Sequence, residues 1–174
     1  MTPQLRTATL QDTDWILAIM GRVIRDTVDE DHHAETIQNV ADNLRHWQRS
    51  AESCVHLVAE SGSDIVGVVL VKDFWNLCNL FVATEHHRKG IGRALALAAI
   101  EHCRAVSPKR AIHLNSSPFA VTFYLALGFE PRESKQPLPP GFVPMRFPFA
   151  TSDAYPPPVN TVAMKLRRAG YVER

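Results

Sequence analysis

The segment Leu80-Phe81-Val82-Ala83-Thr84-Glu85-His86-His87-Arg88-Lys89-Gly90-Ile91-Gly92-Arg93 constrains this chain more than any other. An apolar strand-like run passes through a short basic loop and two closely spaced glycines into an Ala- and Leu-rich helix that extends to about Arg104. A strand feeding a helix in this way needs a sheet for the helix to lie on. The first N–H groups of a helix lack intrahelical partners, and glycine lets a ligand approach the backbone closely. Those donors, the positive end of the helix, and Arg88, Lys89 and Arg93 together make a cradle for phosphate or pyrophosphate. Alone, the pattern also fits a tight strand-to-helix turn with solvated basic residues. It is not a Walker loop, for no Gly-Lys-Ser/Thr follows, and Leu95 stands where a dinucleotide fingerprint needs its third glycine.

The rest of the chain supplies the sheet. Leu5 to Ala8 reads as a strand. Asp12 is expected to cap a helix with Trp15, Ile16, Ile19, Met20, Val23 and Ile24 on its apolar face. After a polar break from Asp26 to His33, Ile37, Val40, Ala41, Leu44 and Trp47 mark a second helix. Val55–Glu60 and Ile65–Val71 flank Ser61-Gly62-Ser63-Asp64 as a hairpin, and Leu77–Val82 is a further strand. Ala111–Leu114 adds another strand, and a helix from Phe119 stops at Gly128. Nine of the twelve prolines fall between Pro131 and Pro158, within a Pro-rich segment (131–160) before a last strand at Thr161–Leu166, and Phe142–Phe147 reads as an extra strand. The order β-α-α-β-β-β-α-β-α-β implies one domain over residues 1–174, with a mixed, partly antiparallel sheet in an α/β (α+β) layer fold and helices on both faces.

The composition excludes several classes. Across 174 residues, 19 Lys+Arg against 18 Asp+Glu give a net charge of +1, without the cationic excess of a nucleic-acid binder. Cys54, Cys78 and Cys103 form neither a disulfide framework nor a Cys-x-x-Cys pair, and no other ligand spacing is diagnostic of a metal site. No apolar run is long enough to span a membrane and no secretory leader is evident, so a cytoplasmic protein is expected.

A second motif follows the Ala111–Leu114 strand. It is Asn115-Ser116-Ser117-Pro118-Phe119-Ala120-Val121-Thr122-Phe123-Tyr124-Leu125-Ala126-Leu127-Gly128-Phe129. Together the two motifs resemble the GNAT superfamily of acyl-CoA-dependent N-acetyltransferases. That family pairs an Arg/Gln-x-x-Gly-x-Gly/Ala loop with an Ala-x-x-Phe-Tyr-x-x-Leu-Gly-Phe helix, and the element order from Leu5 to Leu166 also fits. His87 stands at the family's Arg/Gln position, and Ser117 replaces an Asn often found at the start of the second motif.

The resemblance implies acetyl transfer from acetyl-CoA, without a metal, to an amine on a small molecule or peptide, by direct attack in a ternary complex. It places Phe81, Val82, His87, Arg88, Lys89, Gly90, Ile91, Gly92, Arg93 and Ser117 at the cofactor. Tyr124 becomes the residue that stabilises the departing sulfur; otherwise it is a core tyrosine. A phenol near pKa 10 is uphill of a thiol near 8.5 by about 1.5 units, so a hydrogen bond suffices. No base is evident. The family's strand carboxylate would fall near Asn76, which cannot accept a proton, leaving Asp73, Glu85, His113 or water. Asp26, Asp29, Glu30 and Asp31, with His32 and His33, either favour a cationic acceptor or form a solvated loop. Phe74, Trp75 and the Pro-rich segment either wall the acceptor pocket or simply pack. A homodimer is the family's habit. The alternative is an acyl-CoA-binding sensor or partner module without turnover.

Overall fold

The computed structural model describes residues 3–150. Its strands are β1 (Gln4–Thr7), β2 (Cys54–Ser61), β3 (Asp64–Lys72), β4 (Asn76–Val82), β5 (Ala111–Ser116), β6 (Glu130–Pro131) and β7 (Val143–Pro148). Its helices are α1 (Thr13–Thr27), α2 (His33–Arg49), α3 (Ile91–Arg104) and α4 (Val121–Leu127). One sheet runs in the order β1-β2-β3-β4-β5-β7-β6, antiparallel throughout except for the β4–β5 pair.

Both faces of the sheet are covered, which is why β3 reads as a nearly unbroken apolar run. Leu57, Ala59, Val69 and Val71 pack with Leu95, Ala99 and Ile100 of α3 and with Tyr124 of α4. Their neighbours Val58, Val68 and Leu70 face the other way, onto Ile16, Met20 and Ile24 of α1 and Val40, Leu44 and Trp47 of α2. Full burial of each Val, Leu, Ile or Met side chain among these contributes about 2 kcal/mol.

Trp15 and Ile37, expected on the apolar faces, are exposed instead: three- and four-residue spacing draws a stripe wider than the surface a helix covers. Asp12 does occupy the N-cap position of α1, but its side chain makes no capping hydrogen bond there. It closes a short 3-10 turn, Leu10–Asp12, where its carboxylate accepts from the Thr9 N–H (2.7 Å) and from both terminal nitrogens of Arg6 (2.7 and 2.8 Å). A bidentate guanidinium satisfies this buried carboxylate better than helix N–H groups would, and it ties β1 to the entry of α1. Helix α3 begins at Ile91, so Gly92 lies inside its first turn. The extra strand expected at Phe142–Phe147 is β7, paired along β5 from Ala111↔Pro148 to Ser116↔Val143. The last strand expected at Thr161–Leu166 lies outside the described residues, as does the Pro-rich segment beyond Ala150. No helix among the described residues is long and apolar enough to cross a membrane.

Candidate active site

The site begins with a defect in β4. Leu70 of β3 pairs with Asn79, but Val71 pairs with Leu77, so Cys78 is an extra residue that bulges the strand. A bulge bends its strand and increases the local twist. Strands β4 and β5 are paired in register at Asn76↔His113, where the His113 N–H donates to the Trp75 carbonyl at 2.7 Å. Beyond that point no register pair joins them, and the β5 side of β4 is open.

The open edge has a definite parity. The Ala83 N–H donates to the Val66 carbonyl (2.9 Å), so Ala83, Phe81 and Asn79 direct their backbone groups at β3. Leu80 and Val82 direct theirs away from β3, toward the gap. Of the two residues expected to offer backbone contacts, Val82 turns its N–H toward the gap, while its carbonyl accepts from His87 Nε2. Phe81 has its N–H and C=O engaged with β3 and its ring against the α1–α2 core. Leu80, not singled out from the sequence, takes its place on the open edge.

The chain leaves β4 through a 3-10 turn, Thr84–His86, and the His87 ring folds back so that Nε2 lies 2.7 Å from the Val82 carbonyl. A carbonyl can only accept, so Nε2 carries the hydrogen. His87 therefore closes the loop onto β4. Arg88 (φ +59°) and Gly90 (φ +80°) then reverse the chain in the left-handed region, and no atom lies within 4 Å of a Cβ built on Gly90. The Gly90 carbonyl accepts the first helical bond, from Ala94 at 2.9 Å. The N–H groups of Ile91, Gly92 and Arg93 have no partner among the described residues. Arg88, Lys89 and Arg93 have no carboxylate partner there either; the loop's Glu85 is paired instead with Arg22 of α1 at 2.9 Å.

Two glycines set the position of α3. A Cβ on Gly67 of β3 would lie 2.9 Å from Leu95 Cδ1 and 3.1 Å from Ile91 Cγ2, so the bare backbone lets the first turns of α3 settle onto the sheet. A Cβ on Gly92 would meet Phe123 and Val82 at 3.6 Å, which is ordinary contact and places α4 beside the start of α3.

Ser117 opens the turn into α4, its carbonyl accepting from the Ala120 N–H (3.1 Å) and from the Ser116 hydroxyl (2.9 Å). Tyr124 is buried, edge-on to Phe123 (5.1 Å between centroids) and Phe129 (5.3 Å). No group among the described residues hydrogen-bonds its phenol. Burial pushes the phenol's pKa up, so it is a neutral donor at any physiological pH.

The other candidates stand apart. Glu85 is exposed and paired with Arg22. Asp73 lies 3.7 Å from His46 at the β3–β4 turn. His113 packs edge-on to Trp75 at 5.5 Å, and its pKa is lowered by burial and by Arg132, Lys109 and Arg146. Asp73 precedes β4 and Glu85 follows it, so these two lie at opposite ends of the strand. Asp26 accepts from Thr84 Oγ1 at 3.2 Å, which brings the acidic end of α1 to the loop after β4. Burial holds the thiols of Cys78 and Cys103 up at about 12. No group of three or more His, Cys, Asp or Glu side chains among the described residues is placed to hold a metal ion.

The described residues thus form a mixed sheet split between two parallel strands, with unpartnered N–H groups at the start of α3. The acetyltransferase (GNAT) domain profile matches residues 24–146, and the chain belongs to that family. Its fold is similar to that of the PaiA N-acetyltransferase of Thermoplasma acidophilum, solved in complex with coenzyme A. The TM-score is 0.67 at 17% identity, over 86% of this chain and 100% of that one. A GCN5-related N-acetyltransferase from Rhodopseudomonas palustris gives a TM-score of 0.70 at 18% identity, over 86% of this chain and 97% of that one. The ribosomal-protein-alanine N-acetyltransferase of Brucella melitensis gives 0.59 at 21% identity, over 82% and 98%.

Proposed function

We propose that this protein transfers an acetyl group from acetyl-CoA to an amine by direct attack within a ternary complex. The observation that carries the reading is the cradle: three unpartnered N–H groups at the start of α3 beside three cations without carboxylate partners. A pyrophosphate fits that donor set, since each charge-assisted hydrogen bond to it is worth about 1.5–3 kcal/mol. Gly90 leaves open space in front of the donors. Leu80 and the Val82 N–H offer backbone groups along the split for an amide-bearing arm, while Phe81 packs into the α1–α2 core on the other face of the sheet. His87 holds the loop against β4, leaving phosphate contact to Arg88, Lys89 and Arg93.

When bound, the coenzyme supplies the activated thioester. Tyr124 then acts as a donor to the departing sulfur. Its raised pKa widens the roughly 1.5-unit gap between free phenol and thiol, so the phenol keeps its proton and stabilises charge by hydrogen bonding. Direct transfer is favoured over a cysteine-linked route because Cys78 and Cys103 are held protonated. The acceptor is an amine on a small molecule or peptide. The acidic end of α1, tied to the loop after β4, favours a cationic one.

The test is product formation, followed by mass spectrometry, across a panel of amines and peptides with acetyl-CoA. Tyr124→Phe is expected to lower kcat about 100-fold while leaving CoA affinity within about two-fold. The engagement of Asp73, Glu85 and His113 elsewhere favours a second reading, a domain that binds acyl-CoA without turnover. Tight CoA binding with no product across the panel would select it.

A further inference from the structure

The ring of Phe119 is 88% exposed, the most exposed of the large apolar side chains among the described residues. Five aromatic side chains of this region form a continuous edge-to-face series, Phe123–Tyr124–Phe129–Phe147–Phe149, and Phe119 takes no part in it. Its backbone is nevertheless well supported. It sits in the 3-10 turn Pro118–Ala120, closed by the Ala120 N–H on the Ser117 carbonyl, and Gly141 backs onto the Pro118 ring so closely that a Cβ there would lie 2.8 Å from it. A supported turn that presents a bare aromatic ring to solvent invites a flat ligand.

The ring's neighbourhood says which one. Phe119 stands four residues before Phe123, hence about one turn back on the same side of α4. Phe123 is the residue that lies against Gly92, in the first turn of α3. Side chains go from buried at Tyr124 through half-buried at Phe123 to exposed at Phe119, so Phe119 lies outward of the contact between α4 and the cradle. A ligand with phosphates on the Ile91–Arg93 N–H groups and one arm in the β4–β5 split has its other end outside the split, where Phe119, one turn before the Phe123 that lies against Gly92, offers an exposed ring.

We propose that Phe119 is a stacking platform for the purine base of the coenzyme's nucleotide, an inference that rests on the functional reading above. A base offers a π-face to an aromatic side chain whatever its edge groups, so one exposed ring beside a polyphosphate site is enough to hold it.

The experiment measures CoA and phosphopantetheine, which lacks the nucleotide, by titration calorimetry on the full chain. The proteins are the wild type, Phe119→Ala, Phe119→Trp and, as a control, Trp15→Ala, which removes another exposed ring on α1. Phe119→Ala is expected to weaken CoA about ten-fold and to leave phosphopantetheine unchanged. Phe119→Trp should restore CoA affinity, and Trp15→Ala should match the wild type. Wild-type CoA affinity in Phe119→Ala would overturn the inference, as would equal losses for both ligands, which would mean a packing role. A wild-type protein that binds neither ligand would overturn the functional reading, and this inference with it.

Discussion

His56 illustrates how much a single side chain can carry without touching the site. It lies in β2 with both ring nitrogens buried and unpartnered, its ring edge-on to Trp47 at 4.3 Å. Burial lowers its pKa to about 4, against a weak opposing pull from Asp12. The unfolded chain binds a proton near pH 6.5 and the folded one does not until about pH 4, so stability falls as pH drops through that window. The expected loss between pH 7 and pH 5 is about 2 kcal/mol, by denaturant titration at each pH. His56→Leu should remove most of that slope and be neutral or stabilising near pH 7, because it deletes two unsatisfied polar atoms. Asp12 adds its own sensitivity at lower pH. Arg6 holds its carboxyl well below the usual carboxylate range, so its contribution is full above about pH 4 and is lost only on further acidification.

Among the elements, α3 does the most to make a site, and its seat depends on Gly67. Leu95 and Ile91, which would meet a Cβ at that position, are themselves buried and have little room to give. Gly67→Val is therefore expected to destabilise the fold by about 2–3 kcal/mol and to weaken CoA several-fold, because the first turn of α3 is levered off the sheet. A Gly67→Ala, Leu95→Val pair should recover part of the loss in a double-mutant cycle, measured by thermal unfolding and CoA titration. The glycine was visible in the sequence as a break in a β-branched run. What it accommodates was not, since Gly67 and Leu95 are brought together by the crossover of α3 and not by any local pattern.

For the molecule as a whole, the split sheet is the property that matters. β4 and β5 are joined in register at Asn76↔His113, and everything beyond is open. A ligand seated there would bridge the two parts of the sheet and stabilise both by mass action. Hydrogen exchange should read this directly. The amides of Leu80, Val82, Ile91, Gly92 and Arg93 are expected to exchange quickly in the free protein and to slow on adding CoA. Those of Phe81 and Val68, paired across β3 and β4, should already be slow. Unchanged exchange at the first group with saturating CoA would place the ligand elsewhere.

Local chemistry was enough to specify the four helices and six of the seven strands among the described residues, with β6 missed, and the residues at the start of α3. Period-two and helical spacings, the Gly-x-Gly start of α3 and the Phe123-Tyr124 pair all act between residues close in the chain. Three features were decided by tertiary structure. The bulge at Cys78 depends on register with β3, and the choice of Leu80 and Val82 over Phe81 for the open edge follows from that ladder's parity. The diversion of Asp12 from a helix cap to Arg6 depends on where β1 lies beside the entry to α1. Each turns on a partner supplied by a different element, and apolar patterning records that a residue is buried without recording against what.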